Sequence, residues 1–200
     1  MNLGRDIGDS IRPAAVMGVA ALCGALLAAC AGTTVSLTPS PQAPVCDRKA
    51  TALVLWAPQW RPDQKDVAAR EEAAATGLKR FFADDACFAK AEVRRAGDLG
   101  AATIDPALAA SGGRFDLLVT VAVRELGPVL ALLSSAAIVE GGTEVVLQVG
   151  ARPVRPAGPA REFTVHWRHG GPGVVSGVAS LPDDMGAALR AGLQPAPAAP

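Results

Sequence analysis

Two different spacings of apolar positions after residue 46 predict alternating strands and helices. Residues 51–57 (TALVLWA) form a continuous apolar run, which is typical of a strand covered on both faces. After Pro62, a good first helical position, apolar side chains recur at helical spacing and predict a helix over residues 62–85. The apolar face of this helix consists of Val67, Ala74, Leu78, Phe81 and Phe82.

Further strands and helices are predicted along the rest of the chain. A last helix over residues 182–193 carries two acidic residues in its first turn, which favours its positive end. The order β-α-β-(α)-β-β-β-α predicts an α/β fold, a single small domain with a mixed β-sheet and helices packed against it. The remaining predicted elements are strands at 91–96, 115–126, 143–154 and 161–169, with a brief helix near Asp105 and Pro106.

Composition limits the chain to one domain with appendages. The chain has 200 residues, of which 50% are hydrophobic and 19% are charged. This length is sufficient for one hydrophobic core and too short for two domains of ordinary size. Because 19 basic residues balance 19 acidic ones, no net field favours binding to nucleic acid.

The amino terminus has the pattern of an export signal. No charged residue occurs between Arg12 and Asp47, and residues 13–29 match a signal h-region in length. The segment ends in Leu27-Ala28-Ala29-Cys30, which resembles the bacterial lipobox. This resemblance implies that residues 1–29 are a lipoprotein signal peptide and that Cys30 carries diacylglyceryl and acyl chains such as palmitate, which hold the protein on a membrane. A buried Ala-rich helix and an uncleaved anchor are the alternatives.

The lipoprotein resemblance also implies a location and a domain organisation. Ala31, in place of aspartate after the cysteine, implies the outer membrane, with the protein on its periplasmic face. Residues 30–45 combine the lipidated cysteine with a Pro-, Ser- and Thr-rich stretch that predicts a flexible tether. Residues 46–194 form the periplasmic domain, and residues 195–200 are predicted to be disordered.

Two cysteines remain for the folded domain once Cys23 leaves with the signal and Cys30 is lipidated. Cys46 opens the first strand and Cys87 closes the helix that follows. A strand of about 36 Å and a returning helix of about 36 Å would bring both cysteines to one end of the fold. In an oxidising periplasm this predicts a Cys46–Cys87 disulfide bond, with two separately buried thiols as the alternative.

The order of elements resembles the small α/β domain of the TolB amino-terminal region. It is similar in the same way to envelope lipoproteins of the curli-secretion and peptidoglycan-synthase-activator groups. The resemblance lies in the pattern over residues 46–193, most clearly in FDLLVTVAVREL from Phe115. It implies an accessory or assembly role and identifies no site residues.

Two segments are candidates for partner contacts. Residues 126–139 carry no charge over about 14 residues, so they predict a surface that touches a partner or membrane, or else a helix or strand extension that covers the core. Trp56, Trp60 and Arg61 flank the turn after the first strand, where exposed tryptophan and arginine would form a binding hot spot. Alternatively, Trp56 belongs to the core and Trp60 caps the sheet. The candidate partner-binding residues are Trp56, Trp60, Arg61, Leu130 and Leu133.

Catalytic and metal-binding patterns are weak. His166 and His169, the two histidines of the chain, are three residues apart, so a strand would point them to opposite faces. No nucleophile elbow or P-loop occurs, and we therefore predict no enzyme, no metal and no cofactor.

The sequence favours a non-enzymatic outer-membrane lipoprotein that acts as an accessory component of a cell-envelope machine through protein–protein contacts. The alternative is a periplasmic binding module for a small envelope ligand, a lipid or a glycan. A hydrolase with His166 or His169 as base is a third hypothesis. The expected partners are the membrane, through the amino-terminal lipid, and an envelope protein. The oligomeric state is left open, and nucleic acid is not expected.

Overall fold

The computed structural model describes residues 31–132, 139–172, 174 and 176–195. These residues form one six-stranded sheet with three α-helices, so the predicted α/β class is confirmed. No helix in these ranges is both long and apolar enough to cross a bilayer. The elements are β1 (Gly32–Thr38), β2 (Asp47–Pro58), α1 (Val67–Asp84), β3 (Phe88–Arg95), α2 (Ala101–Ala110), β4 (Leu117–Leu132), β5 (Val139–Pro153), β6 (Arg161–Pro172), a 3₁₀ turn (Val178–Ser180) and α3 (Leu181–Leu193).

The sheet is mixed, and its strands follow the order β1-β6-β5-β4-β2-β3. β2 runs parallel to β3 and β4, whereas β4, β5, β6 and β1 pair antiparallel in succession. The crossover from β2 to β3 and the crossover from β3 to β4 run in opposite directions across the sheet. Since such crossovers are right-handed, α1 and α2 lie on opposite faces.

The main core lies between one face of the sheet and the helices α1 and α3. Alternate side chains of every central strand point into it, including Val54, Val121 and Leu147, each completely buried. The opposite face is covered at one end by α2, where Ile104 and Leu108 pack on Leu53 and Leu55. One face of the sheet therefore has a full helical layer, and the other is largely open over β5 and β6.

The predicted disulfide bond is confirmed between Cys46 and Cys87. The register pairs Asp47 with Phe88, so each cysteine directly precedes one of two adjacent parallel strands. The two Cα atoms are 4.6 Å apart, close to the spacing of neighbouring strands. The bond joins the amino ends of β2 and β3, and α1 is the return segment that the sequence predicted.

The segment predicted to be a tether is instead part of the domain. Residues Gly32–Thr38 form the edge strand β1, paired antiparallel with β6. Farther along, Val45 is 4% exposed, and its N–H donates to the carbonyl oxygen of Leu193 at 2.9 Å. The domain therefore begins near Ala31 and not at Cys46, because the proline-rich stretch after β1 packs against the end of α3.

Helix α1 starts five residues later than the periodicity predicts. The chain first makes a turn in which the N–H of Gln64 donates to the carbonyl oxygen of Arg61. Asp66 then adopts a left-handed conformation with φ of 54°, which a continuous helix cannot include. Val67, which the pattern placed on the apolar face, is 36% exposed in the first turn.

Several sequence predictions fall outside the described residues. These are the signal peptide with Cys30, Leu133, and nearly all of the predicted tail.

Gly77 lets α1 and α3 approach closely, and this contact gives a testable prediction. A Cβ atom at Gly77 would lie 2.6 Å from the carbonyl oxygen of Pro182 and 2.7 Å from Cβ of Met185. Since backbone is among the atoms that would have to move, Gly77→Ala should lower the free energy of unfolding by about 1–3 kcal/mol. Urea denaturation with circular dichroism measures this change.

Gly186 is the matched control on α3. A Cβ atom there meets nothing within 4 Å. Because alanine has the higher helix propensity, Gly186→Ala should raise stability by up to about 1 kcal/mol. Equal effects of the two substitutions would show that the close approach at Gly77 has no energetic weight.

Candidate functional site

The open face of the sheet carries a groove bordered by α2, β4, β5 and the turn after β2. Its three adjoining sections have volumes of about 180, 450 and 490 Å³. The first two sections share Thr120, Gly150 and Glu162, and the last two share Gln59. We call this continuous feature the open-face groove. The other side chains used below that line it are Trp60, Arg61, Arg124, Glu125, Glu144 and Gln148.

The position of the groove follows from the topology. It reaches the turn after β2, at the carboxyl end of that strand, where α/β sheets commonly present ligand sites, and along β4 it follows positions between Leu118 and Glu125. Asp98 and Gly100, at the start of α2, border it on one side. The Asp98 carboxylate accepts hydrogen bonds from the N–H of Gly100 at 2.7 Å and from the hydroxyl of Thr103 at 3.0 Å. These hydrogen bonds hold the first residues of α2 in place on this side of the groove.

A β-bulge places two charged residues in the section of the groove next to the turn after β2. The pairing between β4 and β5 shifts register between Val123 and Glu125, so Arg124 is the extra residue. Bulges often redirect side chains near functional sites. Here the shift keeps Val123 and Leu126 buried on the core face while Arg124 and Glu125 both line the groove.

Arg124 is held in the groove by two neutral side chains. Its Nη1 donates to Oε1 of Gln59 and to Oε1 of Gln148, each at 3.3 Å. Within the described part of the chain, no carboxylate pairs with this guanidinium. The section of the groove next to the turn after β2 therefore presents a positive charge that no ion pair among the described residues neutralises.

Glu125 is fully engaged by other residues. Its Oε1 accepts hydrogen bonds from Arg70 Nη1 at 2.8 Å and from Gln64 Nε2 at 3.1 Å. Arg61 Nη2 lies 3.5 Å from its Oε2. Arg70 is 7% exposed, and the same Nη1 also donates to the carbonyl oxygen of Leu126 at 2.6 Å. This buried pair connects α1 to the bulge and fixes the wall of the groove.

The predicted partner-binding residues divide into three groups. Trp56 is 3% exposed and belongs to the core, so its side chain offers no surface to a partner. Trp60 is half-buried against the core, and it lines the groove together with the exposed Arg61. Leu130 lies in β4 opposite Gly141, and Leu133 is outside the described residues. The structure thus brings Trp60 and Arg61 together and separates Trp56 from them.

The uncharged segment after Glu125 is, in its described residues, an extension of the strands. β4 continues to Leu132 and pairs with β5 from Val139. This corresponds to the strand extension considered from the sequence and excludes a helix over residues 126–132.

The two histidines lie on opposite faces of β6, as their spacing predicts. His166 pairs with Glu144 on the open face, whereas His169 bonds to the hydroxyl of Thr33 at 2.8 Å and stacks on Trp167. Ser36 is the register partner of His166, but no hydrogen bond joins their side chains in the described chain. Among the described residues, no group of three or more His, Cys, Asp or Glu side chains could hold a metal ion.

Two carboxyl groups away from the groove have lowered pKa values. The hydrogen bond from Arg94 lowers the pKa of Glu92. The backbone N–H of Thr51, which donates at 2.8 Å, lowers the pKa of Asp116, and the Thr51 hydroxyl and Arg155 add to this effect. In both cases the hydrogen-bond partners favour the charged form of the carboxyl group.

Sequence reasoning missed Gln59, Arg124, Glu125 and Gln148 as lining residues. The adjacent charges of Arg124 and Glu125 inside an apolar strand were a usable signal, because two successive polar residues interrupt the alternation in the way a bulge does. The glutamines carry no such signal, since their approach to Arg124 depends on strand pairing.

Comparisons with known proteins find solved structures that align with this chain at low identity. No protein-family model and no curated protein matches the chain. A PelC dodecamer from Paraburkholderia phytofirmans aligns over 78% of this chain and 96% of its own, with 14% identity and a TM-score of 0.41. A variant of that dodecamer in another crystal form covers 79% and 96%, with 17% identity and a TM-score of 0.38.

A third solved structure comes from Helicobacter pylori and is described as a putative neuraminyllactose-binding hemagglutinin homolog. It aligns over 74% of this chain and 81% of its own, with 10% identity and a TM-score of 0.38. At these scores and identities, none of the three structures supplies a functional assignment for this chain.

Proposed function

We propose that this protein is an outer-membrane lipoprotein whose periplasmic domain binds another component of a cell-envelope assembly through the open-face groove. The lipobox-like Leu27-Ala28-Ala29-Cys30 supports the placement on a membrane. The Cys46–Cys87 disulfide supports an oxidising compartment such as the periplasm, because disulfides are rare in reducing ones.

The observation that supports the binding role is the set of hydrogen-bond partners of Arg124 in the groove. Its guanidinium lies in the groove between two neutral amide oxygens, beside Trp60 and Arg61. Arginine and tryptophan are the residue types that most often dominate binding energy at interfaces. A carboxylate on the partner can replace the long contacts to Gln59 and Gln148 with shorter, charge-assisted hydrogen bonds. The groove therefore suits a partner that presents an acidic side chain.

The experiment compares two arginine variants in membranes. Arg124→Gln should reduce crosslinked, stoichiometric recovery of the partner about tenfold or more, since a charge-assisted hydrogen bond contributes about 1.5–3 kcal/mol. Arg48→Gln is the control, because Arg48 is an exposed residue at the amino end of β2, away from the groove. Equal recovery from both variants would refute the groove as the binding surface.

A binding module for a small envelope ligand is the second candidate. The two larger groove sections, about 450 and 490 Å³, fall within the usual range for small-molecule sites. Native mass spectrometry of the purified protein separates the candidates: a retained lipid or sugar without a protein partner supports the ligand module. In neither case does the proposal include a catalytic step.

A further inference from the structure

We propose that the outer edge of β1 pairs with the β1 strand of a second copy of this chain, which joins two six-stranded sheets into one. The outer edge of β1 is the side of Gly32–Thr38 that faces away from β6. This surface is separate from the open-face groove, so the inference does not depend on what the groove binds.

The unpaired backbone of β1 supplies the first argument. β1 is the last strand at one side of the sheet, and it pairs only with β6. Among the described residues, no backbone hydrogen bond outside this pairing involves Gly32–Thr38. Every residue of the strand except Leu37 is exposed. The N–H and C=O groups along its outer side are therefore open to another strand.

A comparison of the two edges of the sheet supplies the second argument. Proteins commonly protect an edge strand with charged side chains, prolines or bulges. The opposite edge strand, β3, carries Lys90, Glu92, Arg94 and Arg95 within its eight residues. β1 has no charged residue and no proline, and its register with β6 is continuous. The sheet is thus protected against edge pairing at β3 and unprotected at β1.

The exposure of Val35 supplies the third argument. Val35 lies at the centre of β1, opposite Trp167, on the core face of the sheet. Its side chain is 47% exposed, whereas Val165 on the adjacent strand and the same face is 1% exposed. A further strand beside β1 would cover part of this apolar surface, and the burial would favour pairing.

The side chains of β1 indicate that the added strand is a second copy. An antiparallel pair of β1 strands centred on Val35 places Val35 opposite its own copy, Thr34 opposite Ser36, and Thr33 opposite Leu37. Because alternate residues share a face, the valine and leucine contacts fall on the core face and the hydroxyl pairs fall on the open face. No charge has to be buried. Such a twofold contact is the commonest symmetry of soluble oligomers.

The test is cysteine crosslinking of the purified full-length protein. Val35→Cys places a thiol at the twofold position, where opposite Cα atoms of antiparallel strands are about 4.5–5.5 Å apart and a disulfide forms readily. Thr34→Cys is the matched control at an equally exposed position of the same strand. Its copy lies two residues out of register, so the two Cα atoms are about 8 Å apart, too far for a disulfide.

Both variants and the wild type are oxidised with copper phenanthroline and separated on a non-reducing gel. We expect about half or more of Val35→Cys to migrate as a dimer, and Thr34→Cys to stay at the wild-type level. A mixture of Thr34→Cys and Ser36→Cys should form a dimer that neither variant forms alone, because these residues are opposite each other. The mixture also supplies the measurement if Val35→Cys does not fold.

Two outcomes would overturn the proposal. If neither Val35→Cys nor the mixture crosslinks, or if Thr34→Cys crosslinks as strongly as Val35→Cys, the β1 strands do not pair in this register. Oxidation in unfractionated cells tests for other occupants of the edge. If Val35→Cys there crosslinks to a different protein and not to itself, a foreign strand occupies the edge and the second copy is excluded.

Discussion

Replacing both Cys46 and Cys87 with alanine should lower the free energy of unfolding by about 4 kcal/mol. The bond closes a loop with a sequence separation of 41 residues, and the chain-entropy model assigns about this stabilisation to a loop of that length. For a domain of this size, we expect the midpoint of thermal unfolding to fall by about 8–16 °C. Calorimetry of the two proteins under oxidising conditions measures the difference.

A reductant supplies the control for the disulfide prediction. Dithiothreitol should lower the unfolding midpoint of the wild type towards that of the double variant and leave the double variant unchanged. If the double variant unfolds within about 2 °C of the oxidised wild type, loop closure is not what stabilises this domain.

The buried contact between Arg70 and Glu125 should have a similarly large effect. Arg70→Met should cost about 3–5 kcal/mol, because the poorly exposed Glu125 carboxylate loses its 2.8 Å partner. The Leu126 carbonyl oxygen loses a donor as well. Glu125→Gln in the Arg70→Met background should recover part of the loss, since it removes a poorly exposed charge whose remaining ion-pair partner is the exposed Arg61. Urea unfolding of the wild type, both single variants and the double variant gives the coupling free energy.

Arg80→Met on the same helix is the matched control. Arg80 makes an ion pair with Asp183 at 3.2 Å, but its side chain is 61% exposed. Exposed pairs contribute little, so this variant should stay within about 0.5 kcal/mol of the wild type. A loss at Arg70 no larger than the loss at Arg80 would show that burial of the pair has no energetic consequence.

The buried arginine also illustrates where pattern reasoning stops. Arg70 is four residues before Ala74 and eight before Leu78, so it lies on the core-facing side of α1. A charged residue at such a position usually indicates a helix that begins later or a face that is exposed. Here the charge is accommodated because Gly127 leaves space: a Cβ atom there would lie 1.7 Å from Arg70 Nη1. The two residues are 57 positions apart, and no local pattern connects them.

The edge strand β1 is a second case. Thr33, Val35 and Leu37 alternate as a strand requires, but the prolines that follow favoured a tether. What decides the outcome is pairing with β6, more than 120 residues later in the chain. An edge strand is stabilised by its contacts with the neighbouring strand, and a single sequence does not identify that neighbour.

The sequence by itself determined the class of the fold, the central apolar strands, the helices and the cysteine pair. These follow from local spacing, because side chains repeat every 3.6 residues in a helix and every two in a strand, and because strand and helix lengths place Cys46 beside Cys87. Tertiary structure alone decided the bulge at Arg124, the buried contact of Arg70 with Glu125, and the pairing of β1 with β6. Each of these depends on strand register and helix packing between residues far apart in the chain, which local periodicity does not encode.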